Sequence, residues 1–164
     1  MRLALEQAGL ALDNDWIPIG AVFVKNGQVI THGRKNGMNH PLFDHAEHNG
    51  CYQTLWSREG PRNLDGFTVH TTLEPCIMCC GMLMTARVSR IVYALEDPYG
   101  GGSFMLSDPT RLPARYQHVH PVIQGGILRE DSKDLLRQFF SKHKGDSKFW
   151  SDKSNALVQL VMAT

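Results

Sequence analysis

Apolar periodicity changes type along this chain in an order that few folds accommodate. Residues 2–13 set Leu3, Leu5, Ala8, Leu10 and Ala11 among polar neighbours, which predicts an amphipathic helix ended by Asn14-Asp15. Residues 18–24 are a short run of strand formers. Asn26-Gly27 follows, a two-residue hairpin signal, so Val29 to His32 reads as the returning strand. A loop over 33–44 leads to a helix from His45 to about Trp56, weakened at Gly50 by roughly 1 kcal/mol relative to alanine. Phe67 to Leu73 reads as a strand, Cys76 to Thr85 as a helix with Pro75 in its first turn, and Val88 to Leu95 as another strand. Residues 97–117 form a glycine- and proline-rich loop with room for one helical turn. Val119 to Ile123 is a weaker last strand, and Leu135, Leu136, Phe139 and Phe140 mark a helix over 130–143. The order α-β-β-α-β-α-β-loop-β-α predicts a three-layer α/β/α domain around a mixed five-stranded sheet.

The 164 residues suffice for one such domain. Residues 1–144 are its body. Residues 145–164 are a C-terminal extension, either part of the same domain or a mobile tail. With 42% hydrophobic and 20% charged residues, disorder is excluded as the main state. Seventeen basic against 16 acidic residues leave a formal net charge of +1, which excludes a strongly basic nucleic-acid-coating protein. No run approaches the roughly 18 apolar residues of a membrane span. Glu6 and Gln7 interrupt any apolar signal core, so the chain reads as cytoplasmic.

Of four cysteines, Cys76, Cys79 and Cys80 crowd into one short segment, which suits metal or redox chemistry better than a disulfide framework. Alone, Cys76-Ile77-Met78-Cys79 is ambiguous between a redox pair and a metal site, and His45-Ala46-Glu47 is close to noise. Together they are specific. A catalytic zinc takes three protein ligands and keeps one position open. Cys76 and Cys79, three apart on a helix, turn their sulfurs to one face, and the helix N-terminus favours the thiolate. His45 adds a nitrogen. Glu47, two residues past His45, is then a carboxylate placed to take a proton from an attacking water. The alternative is a closed structural zinc site, which needs a fourth ligand; Cys80 is the nearby candidate, and it points off the ligand face.

His-x-Glu followed by Pro-Cys-x-x-Cys is the established signature of zinc deaminases. The chain resembles the cytidine and deoxycytidylate deaminase superfamily, and within it the bacterial tRNA adenosine deaminases and their guanine- and cytosine-deaminase relatives. The likeness runs from Met1 to about Lys144. It includes Ile17-Pro18-Ile19-Gly20-Ala21-Val22, Thr72-Leu73-Glu74-Pro75, Ser89-Arg90-Ile91-Val92-Tyr93 and Asp97-Pro98-Tyr99-Gly100-Gly101-Gly102-Ser103. This resemblance implies a cytidine-deaminase-like fold, one Zn2+ per subunit and a homodimer. It implies substrate contacts at Asn36, Ile19, Leu73 and Ala46. The first expected substrate is adenosine in a tRNA anticodon loop. The alternatives are a free base, nucleoside or nucleotide (cytosine, guanine, cytidine or dCMP), and a non-catalytic binding subunit.

The chain departs from the tRNA-enzyme pattern in three places. The loop from Asn36 to Asp44 is shorter. His48-Asn49-Gly50 follow Glu47 where an aliphatic pair is usual. Phe139-Phe140-Ser141-Lys142-His143-Lys144 lacks two arginines, and neither Ser141 nor Lys144 offers a bidentate phosphate fork. Lys142, Lys144, Lys148 and Lys153 are either phosphate contacts or a solvated face. Phe149-Trp150 either stacks on a base or anchors the tail.

Overall fold

The computed structural model describes residues 1–37, 42–56, 59–146 and 155–163. Helix α1 spans Arg2–Asp13 and buries Ala4, Ala8 and Ala11. Of the expected apolar positions, Ala8 and Ala11 pack inward, whereas Leu3 and Leu10 are exposed. Small residues win because the helix backbone lies directly on β1 (Gly20–Lys25). A Cβ at Gly20 would sit 2.2 Å from the Ala4 carbonyl oxygen. Asn26 and Gly27, both at positive φ, turn the chain into β2 (Gln28–Arg34). Lys25 pairs with Gln28 across this turn.

Helix α2 spans Ala46–Trp56, β3 Phe67–Leu73, α3 Ile77–Thr85 and β4 Arg90–Leu95. The loop after β4 holds three 3-10 turns, at Ser103–Leu106, Pro109–Arg111 and Ala114–Tyr116, where the sequence suggested one helical turn. Strand β5 is Val122–Gln124, later and shorter than expected. Pro121, just before it, has no N–H for a ladder, and Val119 is buried in the core instead. Helix α4 spans Arg129–Lys142 and α5 Ala156–Met162. Lys148, Phe149, Trp150 and Lys153 lie outside the described residues.

The sheet order is β2-β1-β3-β4-β5. β1 is antiparallel to β2 and β3, while β3, β4 and β5 run parallel. Helices α2 and α3 close one core with Phe23, Phe67, Val69 and Ile91 of the sheet. A second core joins Leu73 and Leu95 to Leu136, Phe139 and Phe140 of α4 and to Leu157, Val158 and Val161 of α5. The C-terminal end of β3 and the N-terminal ends of α2 and α3 therefore meet at one edge of the domain. Among the described residues, no helix is long and apolar enough to cross a membrane.

Candidate active site

His45 stands just before α2, its carbonyl accepting the Asn49 amide in the first helical bond. Glu47 follows in the first turn and is 3% exposed. Cys76 is the N-cap of α3 and Cys79 lies in its first turn. The fold brings these two helix starts together. His45 Nδ1 is 3.5 Å from Cys76 Sγ and 3.7 Å from Cys79 Sγ. The possible ligand atoms of His45, Cys76 and Cys79 all lie within 4.8 Å of one another. Cys79 Sγ is also 3.5 Å from Glu47 Oε2, and Thr71 Oγ1 of β3 donates to Glu47 Oε1 at 2.5 Å.

These groups disturb one another strongly. Hydrogen bonds from Cys79 and then His45 pull the Cys76 thiol down to about 4. Cys79 is pushed up, first by its hydrogen bond to Cys76 and then by burial. The Cys76 contact raises His45, and burial raises Glu47. Two thiols thus compete for one negative charge beside a buried acid, an arrangement that a cation relieves. One imidazole nitrogen and two sulfurs are a zinc donor set, three in number as catalytic zinc requires. Cys80 does not join them. Its Sγ donates to the Pro75 carbonyl at 3.3 Å, and burial pushes its pKa up to about 12. A closed four-ligand site has no fourth member among the described residues.

The cluster opens into a cavity of about 270 Å3, lined by Ile17, Ile19, His45, Glu47, Leu73, Glu74, Cys76, Asp97, Tyr99, Phe140, Asn155 and Leu157. Ile19 and Leu73 are among its lining residues. Ala46 is fully buried behind the cluster, in the core with α3. Asn36 is not among the lining residues. Its backbone N–H donates to Asp44 Oδ1 at 3.3 Å.

A model of the cytidine and deoxycytidylate deaminase zinc-binding region matches residues 1–95. The chain belongs to this family. Its deaminase relatives include a tRNA-specific adenosine deaminase of Agrobacterium fabrum, 34% identical over 89% of this chain and 95% of the relative. A solved structure from work on A-to-I editing by tRNA:A34 deaminases at the wobble position superposes with a TM-score of 0.72. It is 33% identical and covers 83% of this chain and 97% of that one. The guanine deaminase from Nitrosomonas europaea shares the fold at a TM-score of 0.63 and 19% identity, over 85% of this chain and 82% of its own. The fold is thus the three-layer cytidine-deaminase architecture with a mixed sheet.

Three acidic residues of this deaminase site carry work that sequence reasoning missed. Glu74 clamps the loop after β4: Oε2 accepts the Asp97 amide at 3.0 Å, and Oε1 accepts the Ser103 amide and hydroxyl at 3.2 and 2.6 Å. Asp97 Oδ1 accepts the Tyr99 and Gly100 amides, shaping the cavity rim. Asp44 is 1% exposed. It accepts the Gly37 amide at 2.8 Å and the Asn49 side chain at 2.9 Å, and lies 3.7 Å from Lys35 Nζ. Burial pushes its carboxyl up, but these hydrogen bonds prevail and hold it below the usual range. Asn49 therefore ties α2 to the incoming loop. The available signal was the acid directly before a helix start, a capping pattern.

Proposed function

We propose that this protein is a zinc-dependent hydrolase that removes the exocyclic amine of adenosine in a tRNA anticodon loop, leaving inosine. The observation that carries the reaction is the meeting of Glu47 with His45, Cys76 and Cys79 at the base of one cavity. The substrate reading is supported by identity to a tRNA-specific adenosine deaminase over nearly that protein's whole length.

His45, Cys76 and Cys79 would hold the zinc. When bound, zinc supplies Lewis acidity and lowers the pKa of water towards about 7. Glu47 moves the protons. Its Oε2 takes one from the attacking water and delivers it to the ring nitrogen beside the reacting carbon. The carbon–oxygen bond forms first; the same carboxyl then carries the remaining proton of that oxygen to the amine, and as the carbon–nitrogen bond breaks the amine leaves as ammonia. Burial raises the Glu47 carboxyl above its usual range. Thr71, donating to Oε1, orients the carboxyl so that Oε2 lies on the side of the cluster, 3.5 Å from Cys79 Sγ. Ile19 and Leu73 form apolar walls for the base, Ala46 backs the site, and Asn36 contacts the substrate from the preceding loop.

A free base, nucleoside or nucleotide is the second reading. The end of α4 favours it: Lys142 Nζ is 2.5 Å from Asp15 Oδ1, so a cation that phosphates would need is partly engaged. Ammonia release from wobble-adenosine stem-loop RNA, cytosine, guanine, cytidine and dCMP, with Glu47→Ala beside wild type, decides between them. Turnover on the stem-loop, lost by at least about a thousandfold in Glu47→Ala with zinc retained, is the expected result. Turnover on a small substrate alone overturns the tRNA reading. Zinc-loaded protein with no Glu47-dependent turnover overturns the enzyme reading.

The same reading makes the protein a cytoplasmic homodimer. Its four cysteines are unpaired, in keeping with a reducing compartment. Exposed Tyr52 and Trp56 stack on α2 with ring centroids 5.1 Å apart, and His48 and Phe43 continue the row. Such an aromatic face suits a second subunit. Light scattering should give twice the 18.4 kDa of one chain, and a monomer mass overturns the dimer.

A further inference from the structure

One wall of the cavity comes from the far end of the chain: Phe140 of α4, and Asn155 and Leu157 at the start of α5. We propose that Asn155 is a substrate-binding and specificity-determining residue whose side-chain N–H group donates a hydrogen bond to an acceptor atom of the nucleoside. The inference rests on the deaminase reading above.

Asn155 is held before any substrate arrives. Its Oδ1 accepts the Leu157 amide at 3.1 Å and the Val158 amide at 3.2 Å, capping α5. That helix is in turn pinned to α4 through buried Leu157, Val158 and Val161, and Arg137 Nε donates to the Val161 carbonyl at 3.1 Å. A side-chain amide carries an acceptor oxygen and a donor NH2 on one plane. Here the oxygen is spent on the helix. The NH2 group makes no hydrogen bond among the described residues. A donor fixed in orientation and left unspent at a cavity wall is pre-organised for a ligand.

Outside the metal cluster and the acids, the Tyr99 hydroxyl is the other side-chain donor lining the cavity. Glu47, Glu74 and Asp97 line it as acids, and both oxygens of Glu74 already accept from the loop after β4. His45 and Cys76 belong to the metal cluster. A nucleoside presents lone pairs on its ring edge and on its ribose, which acceptors alone cannot satisfy. The apolar side chains of Ile19, Leu73 and Leu157 take the faces of the ring, and Asn155 supplies a neutral N–H beside them.

The test uses the full zinc-loaded chain. Asn155→Ser and Asn155→Asp keep a capping oxygen and remove the amide donor, whereas Asn155→Ala removes both. Purine and purine riboside have no exocyclic amine, so calorimetry reads their binding without turnover. KM is measured in parallel on whichever substrate the wild type deaminates. In both Ser and Asp variants Kd and KM should rise about three- to tenfold, with zinc content and Tm at wild-type values. A rise for both probes assigns the contact to the base edge, and a rise for the riboside alone assigns it to the sugar. Wild-type Kd values in the Ser and Asp variants, with losses confined to Asn155→Ala, overturn the proposal and leave Asn155 as a helix cap only. Failure of the wild type to bind either probe overturns it as well. A wild type that binds the riboside but deaminates nothing would overturn the functional reading while the titration still decides Asn155.

Discussion

Glu47 is buried beside two thiols and an imidazole, a place costly for an acid without partners. Thr71 is the neutral partner that orients it. Thr71→Val keeps the volume and removes the hydroxyl, so kcat should fall about 10- to 100-fold while zinc content holds. Steady-state kinetics with metal analysis check this. His70, also on β3, has a different consequence. It sits between Val22 and Val92 in the sheet, with its Nδ1 buried and no hydrogen-bond partner among the described residues. Burial first, then the charges of the N-terminus and Arg90, pull it from 6.5 to about 4. Above pH 6.5 it is neutral in both folded and unfolded chains. Between 6.5 and 4 the unfolded chain takes up a proton that the native fold refuses, so stability falls as pH drops through that window. Thermal melts from pH 7 to 4.5 should show this loss, and His70→Gln should flatten it.

At the scale of elements, α2 lies on β2 almost backbone to backbone. A Cβ at Gly33 would meet the Ala46 carbonyl oxygen at 2.2 Å and the Gly50 nitrogen at 2.5 Å. One at Gly50 would strike the Phe23 ring at 2.4 Å. Gly50, which weakens the helix by local propensity, is therefore what lets the helix dock. Because α2 carries Glu47 and follows directly from His45, its seat on β2 sets the site. Gly33→Ala should cost about 1–3 kcal/mol and lower zinc occupancy, read by urea unfolding and metal analysis. An unchanged midpoint would mean that the two elements pack less closely than described. Helix α3 and the loop after β4 are joined in a similar way: the Gly102 amide donates to the Pro75 carbonyl at 2.8 Å, and Glu74 holds the first part of the loop at Asp97 and Ser103.

Across the whole molecule, the two ends of the chain close on one cavity. Ile17 and Ile19 enter from the segment after α1, and Asn155 and Leu157 from α5. Helix α5 also completes the second core, burying Leu157, Val158 and Val161 against Leu136, Phe139 and Phe140. Burying a large aliphatic side chain contributes about 1.5–3 kcal/mol. Deleting residues 145–164 should therefore destabilise the domain by about 4 kcal/mol or more, and urea unfolding measures it. A loss below 1 kcal/mol would show that α5 is an appendage rather than part of the core.

What could be read from residues alone followed local rules. Helix α1, the Asn26-Gly27 hairpin, β3 and α4 were legible because periodicity and turn chemistry are set by neighbours in sequence. The His45, Cys76 and Cys79 cluster was legible because zinc demands particular side chains at close spacing. That Leu3 and Leu10 of α1 would stay exposed while Ala4 packs, why Gly50 interrupts α2, and how Asp44 and Glu74 serve the site were not legible. Each depends on a partner distant in the chain: Gly20, Phe23, Asn49 or the loop after β4. Burial and hydrogen-bond satisfaction are properties of the assembled core, and the placement of Asn155 and Leu157 on the cavity wall was decided there. The local pattern named the reaction's chemistry; the packing of distant segments shaped the space in which it acts.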